Sequence, residues 1–370
     1  MRANQRKTQA KLNLKVGEWV QVRPVEEILA TLDATGRYEG LPFMPEMLQY
    51  CGKQFRVYRR ADKTCDYLKD WSIRRMTNSV YLEGNRCDGS AHDGCEAACL
   101  IWWKEAWLTR VQNEVAPGQA LAAAAPKPSP APQNGLCTVE SIIAASRVRA
   151  EDGTELYSCQ ATDVTKFTSY MKIWDVRQYV RDARSGNWHT GLGGNARGDR
   201  LLELALSCLH VFRAVLISFF NEIQQRRHHS AYMRYPLIQG SAEKTPLERL
   251  NLQPGELVQV KSKQEIIATL DHDQRNRGLW FDSEMLPYCG RIFRVLRRVT
   301  RIIDDKTGKL LIIKNPCIVL EGVVCQGEFH RLCPRAIYAY WRENWLRRVS
   351  SEAIPEGREL ECAKGAEACR

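Results

Sequence analysis

Two sets of cysteine and histidine residues, far apart in the chain, share one spacing. In each set a Cys-x4-His-x2-Cys motif is preceded by a further cysteine, 36 residues before its first thiol. Three thiols and one imidazole are the ligand number and types of a Cys3His structural zinc site. We therefore predict two Zn²⁺ sites, formed by Cys51, Cys87, His92 and Cys95 and by Cys289, Cys325, His330 and Cys333.

The alternative for these residues is simple burial, because free cysteine is among the most buried residue types. Neither set contains a Cys-x2-Cys pair, yet a histidine kept at the same place in both sets is hard to explain by core packing. A catalytic zinc usually keeps three protein ligands and an open position, whereas each set offers four. We predict closed, structural sites that contribute folding free energy.

The two sets lie in two copies of an internal repeat. Residues 12–111 align with residues 250–349 at one constant offset of 238, and 29 of the 49 positions in 12–60 are identical. Such self-similarity predicts two homologous modules. An alternating strand at 19–22 leads several short strands, which predicts an SH3-like small barrel. The predicted fold class is α+β, mostly β, with the two barrels flanking a mixed α/β middle domain.

The remaining segments differ from the modules in composition. The chain has 370 residues, of which 44% are hydrophobic and 26% charged, as expected for a folded globular protein. A Pro- and Ala-rich stretch predicts a linker, and Asp152-Gly153 predicts a hairpin turn after it. The predicted division is a basic tail at 1–11, the first module at 12–112, a linker at 113–135, a middle domain at 136–240, the second module at 250–350 and a polar tail at 351–370.

The longest apolar stretch, at 201–220, contains Glu203, His210 and Arg213. A bilayer span rarely tolerates such groups near its middle, so we predict a buried or amphipathic helix and no membrane span. The N-terminus lacks the apolar segment of a secretory signal. Fourteen cysteines without an export signal predict a reducing, cytoplasmic location.

Each module ends in the motif W-x-E-x-W-L-x-R-V. Tryptophans four residues apart more often form one packed face than a ligand platform, so we predict that they close the core of each module. The glutamate between them is expected to pair with nearby arginines. These residues are Trp103, Glu105 and Trp107 in the first module and Trp341, Glu343 and Trp345 in the second.

A net charge of +11 permits an anionic partner. Strand alternation places Arg56, Arg60, Arg294 and Arg298 on outer faces, where they would form a phosphate-contact strip for nucleic acid. The alternative, which we favour, is a solvated face paired with acidic residues. The sequence contains no motif typical of base recognition or of the common hydrolases.

The strings NLQPGELVQVKSKQEIIATLD, GLWFDSEMLPYCG and CQATDVTKFT resemble a family of bacterial proteins without an established function. The shared pattern is N-L-x-P-G-E-x-V-x-V-x4-E-I-x-A-T-L-D, and the resemblance covers 136–349 and the first module through its repeat. It implies a bacterial, cytoplasmic protein, in some cases accessory to a biosynthetic pathway, and brings no catalytic residues.

From these observations the predicted function is that of a non-catalytic, zinc-stabilised binding or scaffolding protein whose partner is a protein. One alternative is a nucleic-acid-binding protein that uses the basic strand faces. The other is an enzyme that depends on a metal or a cysteine.

Overall fold

The computed structural model describes residues 11–69, 71–111, 137–187, 197–228 and 235–349. These residues form a mostly β structure of small antiparallel sheets. The predicted linker at 113–135, the C-terminal tail at 351–370 and residues 1–10 of the predicted N-terminal tail lie outside the described residues.

The first module is built on a five-stranded sheet whose strands lie in the order Trp103–Lys104, Ser79–Leu82, Gln54–Arg60, Trp19–Val22 and Leu108–Arg110. Short 3₁₀ helices at Pro45–Tyr50 and Glu105–Trp107 connect its strands. The other elements are β1 (Trp19–Val22), α1 (Val25–Leu29), β2 (Arg37–Tyr38), β3 (Leu41–Pro42), β4 (Gln54–Arg60), β5 (Lys63–Asp66), β6 (Ser72–Arg75), β7 (Ser79–Leu82), β8 (Trp103–Lys104) and β9 (Leu108–Arg110).

The middle region contains a hairpin and several helices. Its elements are α2 (Val139–Ala145), β10 (Arg147–Arg149), β11 (Glu155–Tyr157), α3 (Val164–Phe167), β12 (Ser169–Met171), α4 (Arg177–Ser185) and α5 (Arg197–His228). The predicted hairpin forms, with Arg149 paired to Glu155 around the Asp152-Gly153 turn. Strand β12 pairs with β6 and so joins the middle region to the first module.

The second module has a four-stranded sheet with the order β17-β16-β13-β18. Its 3₁₀ helices are Ser283–Tyr288 and Glu343–Trp345. The other elements are β13 (Leu257–Val260), α6 (Lys263–Ile267), β14 (Arg275–Asn276), β15 (Leu279–Trp280), β16 (Ile292–Ile303), β17 (Leu310–Leu320) and β18 (Leu346–Arg348).

The strand registers of the two modules coincide at the offset of 238. Trp19 pairs with Arg56 in the first module, and Leu257 pairs with Arg294 in the second. The main difference is the segment after β4: β16 and β17 continue as one long hairpin, whereas β5 and β6 form a separate short one. The shared part is therefore the sheet core, and the hairpins are where the modules diverge.

Local signals explain how the elements begin. In β1 the side chains of Val20 and Val22 are buried while their neighbours are partly exposed, as the alternation predicts. Helix α6 starts with a capping box, in which Ser262 Oγ accepts from the Glu265 N–H at 3.3 Å and the Glu265 carboxylate accepts from the Ser262 N–H at 2.9 Å. At the equivalent position Pro24 offers α1 no side-chain cap.

The long helix α5 contains the apolar stretch 201–220 that the sequence predicts to be helical, but its large apolar side chains do not all pack inward. Leu209, Phe212, Leu216, Phe219 and Ile223 are exposed and form what we call the apolar stripe. The helix packs instead through a neighbouring face of smaller or polar side chains, namely Val211, Ala214, Ile217, Ser218 and Asn221. No helix among the described residues is long and apolar enough to cross a membrane.

The two modules pack against each other through equivalent residues. Cys95 Sγ accepts a hydrogen bond from the backbone N–H of Ile303 at 3.3 Å, and Cys333 Sγ accepts one from that of Cys65 at 3.2 Å. The thiols are equivalent at the offset of 238, and so are the two donors. This exchange of roles is the pattern of an isologous, two-fold interface, here formed within one chain.

Candidate metal centre

Three potential metal ligands converge in each module. The donor atoms of Glu46, Cys87 and His92 lie within 4.8 Å of one another. Those of Glu284, Cys325 and His330 do the same in the second module. We call these groups the first and second clusters, and their members are equivalent at the offset of 238.

Each cluster is positioned by a 3₁₀ helix and a tight loop. Glu46 lies in the 3₁₀ helix Pro45–Tyr50, and Cys87 and His92 lie on the loop after β7. Gly89 shapes this loop, since it has a φ of +73° and an added Cβ would lie 2.2 Å from the carbonyl oxygen of Cys95. An L-residue is therefore excluded here on two grounds, backbone conformation and space.

The first cluster contains a buried oxygen with no hydrogen bond. Glu46 Oε1 contacts His92 Nδ1 and accepts from the N–H of Ala91 at 3.2 Å. Glu46 Oε2 is buried, with no hydrogen-bond partner among the described residues. His92 Nε2 lies outside the cluster, 3.5 Å from the carbonyl oxygen of Ser158. A cation bound by Glu46 would give Oε2 a partner, and Nδ1 of His92 would still face the other donor atoms of the cluster.

In the second cluster His330 has the same orientation. Its Nδ1 lies 3.4 Å from Cys325 Sγ, and its Nε2 lies 3.3 Å from Asp282 Oδ2. Metal-bound histidines generally donate their second ring N–H to a carboxylate or carbonyl oxygen, as both imidazoles are placed to do here. The His330 ring also stacks on Trp71 of the first module at a centroid distance of 4.0 Å.

Burial controls the charge of the cluster side chains. It raises the pKa of the Cys87 and Cys325 thiols well above the usual value for cysteine. It also raises the pKa of Glu284 to about 6, although three loop N–H groups donate to its carboxylate. A bound cation would offset this cost and favour the thiolate and carboxylate forms that coordinate metals.

The other predicted thiols lie outside the clusters. Cys51 Sγ contacts the Met47 carbonyl oxygen at 3.8 Å, and Cys289 occupies the equivalent place at the end of its 3₁₀ helix. Cys95 and Cys333 face the opposite module. The structure thus brings together Cys and His from each predicted set, with a glutamate as the third donor.

Glu46 and Glu284 are absent from the ligand sets predicted from the sequence, which contain only cysteine and histidine. Both stand in the string E-M-L-x-Y-C-G, which the two modules share. Carboxylates are common zinc ligands, so a glutamate kept in both copies beside a predicted ligand was the available signal.

The surroundings of the two clusters differ. Cys87 and His92 line a small cavity of about 30 Å³. Glu284, Cys325 and His330 line a cavity of about 360 Å³ between the modules. The space beside the first cluster therefore has room for one or two water molecules, whereas the space beside the second is large enough for a small molecule.

The four predicted nucleic-acid-binding arginines make contacts within their own modules. Arg60 and Arg298 each donate to a buried glutamate, at 2.7 and 2.6 Å. Arg56 and Arg294 each donate to a glycine carbonyl oxygen in a neighbouring turn. The predicted outer-face position is wrong for Arg60, which is buried, because a register shift in β4 between Val57 and Arg59 interrupts the strand alternation.

Comparisons with protein-family models, with curated proteins and with solved structures return no match for this chain.

Proposed function

We propose that the chain is a non-catalytic binding protein made of two SH3-like modules, each stabilised by a zinc ion. The observation that carries this proposal is the recurrence of one glutamate, one cysteine and one histidine at equivalent positions, with Nδ1 of each histidine turned inward. Zinc accepts such a mixed set of oxygen, sulfur and nitrogen donors. Three donors leave one position of a tetrahedral ion for a further ligand, which taken alone is the arrangement of a catalytic zinc. The structural role is supported instead by burial, since the side chains of Glu46 and His92 are 0% and 1% exposed.

The metal content of the protein tests this proposal. We expect about two zinc ions per chain in protein purified without a chelator. Cys87→Ser and Cys325→Ser should each lose one ion, because a serine hydroxyl is a much poorer zinc ligand than a thiolate. The matched controls are Cys51→Ser and Cys289→Ser, which should keep both ions. Elemental analysis by mass spectrometry gives the stoichiometry.

Two results would contradict different parts of the proposal. If the folded, reduced protein contains no metal, the proposal of two zinc sites is wrong. Loss of one ion in Cys51→Ser or Cys289→Ser would instead restore the ligand set predicted from the sequence, because those thiols would then coordinate zinc.

The binding role draws on the apolar stripe of α5. Its residues follow one another at helical spacing, and their positions are nearly symmetric about Leu216, at −7, −4, +3 and +7. Two copies of such a stripe can pack antiparallel, each side chain meeting an apolar side chain of the other helix. We propose a second copy of this chain as the occupant.

The proposed location is cytoplasmic, in keeping with the free thiols of the described cysteines.

Light scattering coupled to size-exclusion chromatography tests whether a second copy of the chain binds to the apolar stripe. At about 100 μM protein, well above a micromolar Kd, we expect twice the chain mass of 42.4 kDa. Leu216→Glu should give the monomer mass, since the two-fold axis places its charge against a copy of itself. The control Ile312→Glu changes an apolar residue outside the stripe that is even more exposed than Leu216, and it should stay dimeric. A monomeric wild-type protein would contradict the proposal.

A cysteine-dependent enzyme is the second candidate function, because one observation favours it. Cys325, His330 and Asp282 form a thiol–imidazole–carboxylate chain that lines the larger cavity. Cys325 Sγ lies 3.4 Å from His330 Nδ1, and His330 Nε2 lies 3.3 Å from Asp282 Oδ2. Two features weigh against it: burial raises the pKa of the Cys325 thiol, and Met44 replaces Asp282 in the first module. The metal measurement separates the two functions, since a nucleophilic thiol needs no zinc.

Nucleic-acid binding is the weakest of the three proposals. Its support is the net charge of +11, while the four arginines proposed for it already donate hydrogen bonds within their modules.

A further inference from the structure

The larger cavity has aromatic walls from both modules. Tyr67 and Trp71 come from the first module, and Trp280 and Tyr340 come from the second. The rings of Trp71 and Trp280 meet at a centroid distance of 5.2 Å. A volume of about 360 Å³ falls within the range of small-molecule sites, about 300–1,000 Å³.

One charged side chain lines this cavity without hydrogen bonds. Arg335 is 1% exposed, and its three guanidinium nitrogens have no hydrogen-bond partner among the described residues. Its guanidinium lies between the rings of Tyr67, at 5.1 Å, and Trp102, at 4.9 Å. Asp305 Oδ2 is 3.8 Å from Nη2, which is close enough for charge attraction but too far for a hydrogen bond.

A buried guanidinium offers five N–H donors in a planar fork, and native proteins rarely leave such donors unused. The cation–π contacts hold the plane of the guanidinium but accept none of its hydrogen bonds. The fork matches the geometry of a carboxylate or phosphate, which can accept two parallel hydrogen bonds. The equivalent residue in the first module is Ala97, so this feature does not follow from the repeat.

We propose that the intermodule cavity binds a small aromatic oxyanion. Arg335 holds the carboxylate or phosphate group, and Trp71 and Trp280 contact the ring. Four carboxylates also line the cavity: Asp282 contacts His330, Glu284 accepts from loop N–H groups, Asp304 accepts from Thr307, and Asp305 lies 3.8 Å from Arg335. Arg335 is the cationic group there without a hydrogen-bond partner among the described residues, and the remaining walls are largely apolar and aromatic, as in small-molecule pockets. This inference goes beyond the proposed function and does not depend on a bound metal.

Calorimetric titration with four probes tests the site on the full chain. The probes are 2-naphthoate, 2-naphthyl phosphate, the neutral isostere 2-naphthamide and naphthalene. We expect at least one of the two anions to bind at least about tenfold more tightly than either neutral probe, because only an anion gains charge-assisted hydrogen bonds. The tighter anion identifies the ligand as a carboxylate or a phosphate ester. Equal affinities for anions and neutral probes, or no binding at about 1 mM, would overturn the proposal.

Variants then assign the binding to the cavity. Arg335→Met should reduce the affinity for the tighter anion by at least about tenfold and leave the affinity for naphthalene unchanged. The control Arg347→Met removes an exposed arginine and should bind both as the wild type does. Should Arg335→Met fail to fold, Trp280→Leu provides a second test at a half-exposed wall residue, with affinity for both probes expected to fall. Unchanged anion binding in a folded Arg335→Met or in Trp280→Leu would contradict the site.

A chelator added to the wild-type titration separates this site from the second cluster. Retained binding of the anion supports the role of Arg335. If the chelator abolishes binding of the anion and folded Arg335→Met retains it, the ligand is held by a metal and not by Arg335, and the proposal is overturned.

Discussion

A chelator should lower the unfolding temperature of the purified protein by about 10 °C or more. A metal that binds only the folded state and is present at a thousand times its Kd contributes about 4 kcal/mol. For a cooperative unit of about 100 residues, each kcal/mol changes the unfolding temperature by about 4–8 °C. The effect is large because both Glu46 and His92 are almost fully buried, so the empty cluster leaves polar groups away from water. Differential scanning calorimetry gives the transition for each state.

Re-addition and cluster variants make this test specific. Zinc added in excess over the chelator should restore the transition, whereas magnesium should not, because it favours all-oxygen ligand sets. His92→Asn and His330→Asn should lower the unfolding temperature of untreated protein and respond less to the chelator. A transition that the chelator does not move, in protein shown to contain zinc, would mean that the ion has no structural role.

The parts of the fold that the sequence predicts correctly depend on local signals. The alternation around Val20 and the turn at Asp152-Gly153 each involve residues within a few positions of one another. The tryptophan pairs were also predictable, since Trp103 and Trp107 pack edge-to-face in the buried core of the first module. Such features depend on backbone preferences and burial alone, and both can be derived from a single sequence.

Features set by distant contacts could not be derived in this way. The register shift in β4 reverses the side to which Arg60 points, and no local residue pattern marks it. Cys95 has the same spacing as a metal ligand, yet its thiol meets a backbone N–H of the opposite module. The packing of α5 likewise involves distant residues, since Arg213 pairs with Glu328 and Glu222 pairs with Arg331 of the second module.

The candidate site was therefore predicted in part. The repeat singled out Cys87 and His92, because residues that perform one task in two copies keep both type and spacing. Glu46 joins them only through the fold, which brings the 3₁₀ helix against the loop after β7. Arg335 had no counterpart in the first module, so a search based on the repeat could not select it.

Replacing Glu105 with alanine should lower the free energy of unfolding by about 3–5 kcal/mol. Its buried carboxylate accepts hydrogen bonds from the N–H groups of Leu12, Asn13 and Leu14, at 2.9, 3.1 and 3.0 Å, and pairs with Arg60 Nη1 at 2.7 Å. The truncation leaves these N–H groups without their acceptor and removes one partner of a buried guanidinium. Urea denaturation measures the change.

The second module repeats this arrangement, so Glu343→Ala should show a similar loss. Glu343 accepts from the N–H groups of Leu250, Asn251 and Leu252 and pairs with Arg298 at 2.6 Å. Burial alone would raise the pKa of Glu343, but these donors and the guanidinium outweigh it and hold the pKa below its usual 4.5. The contribution is thus complete above that pH and declines as the pH falls through the lowered pKa, so wild type and Glu343→Ala should converge in acid.

Exposed ion pairs supply the control for both substitutions. Glu18 pairs with Arg110 at 3.0 Å on the surface of the first module, and Glu18→Ala should cost less than about 1 kcal/mol. Glu105→Gln keeps one carbonyl acceptor but loses the charge, so its cost should lie between those of Glu18→Ala and Glu105→Ala. After Glu105→Ala the Arg60 guanidinium keeps its pair with Asp62, so the loss comes mainly from the three backbone N–H groups and the missing second partner. A loss in Glu105→Ala no larger than in Glu18→Ala would show that the buried carboxylate does not hold the first residues of the module against its last strands.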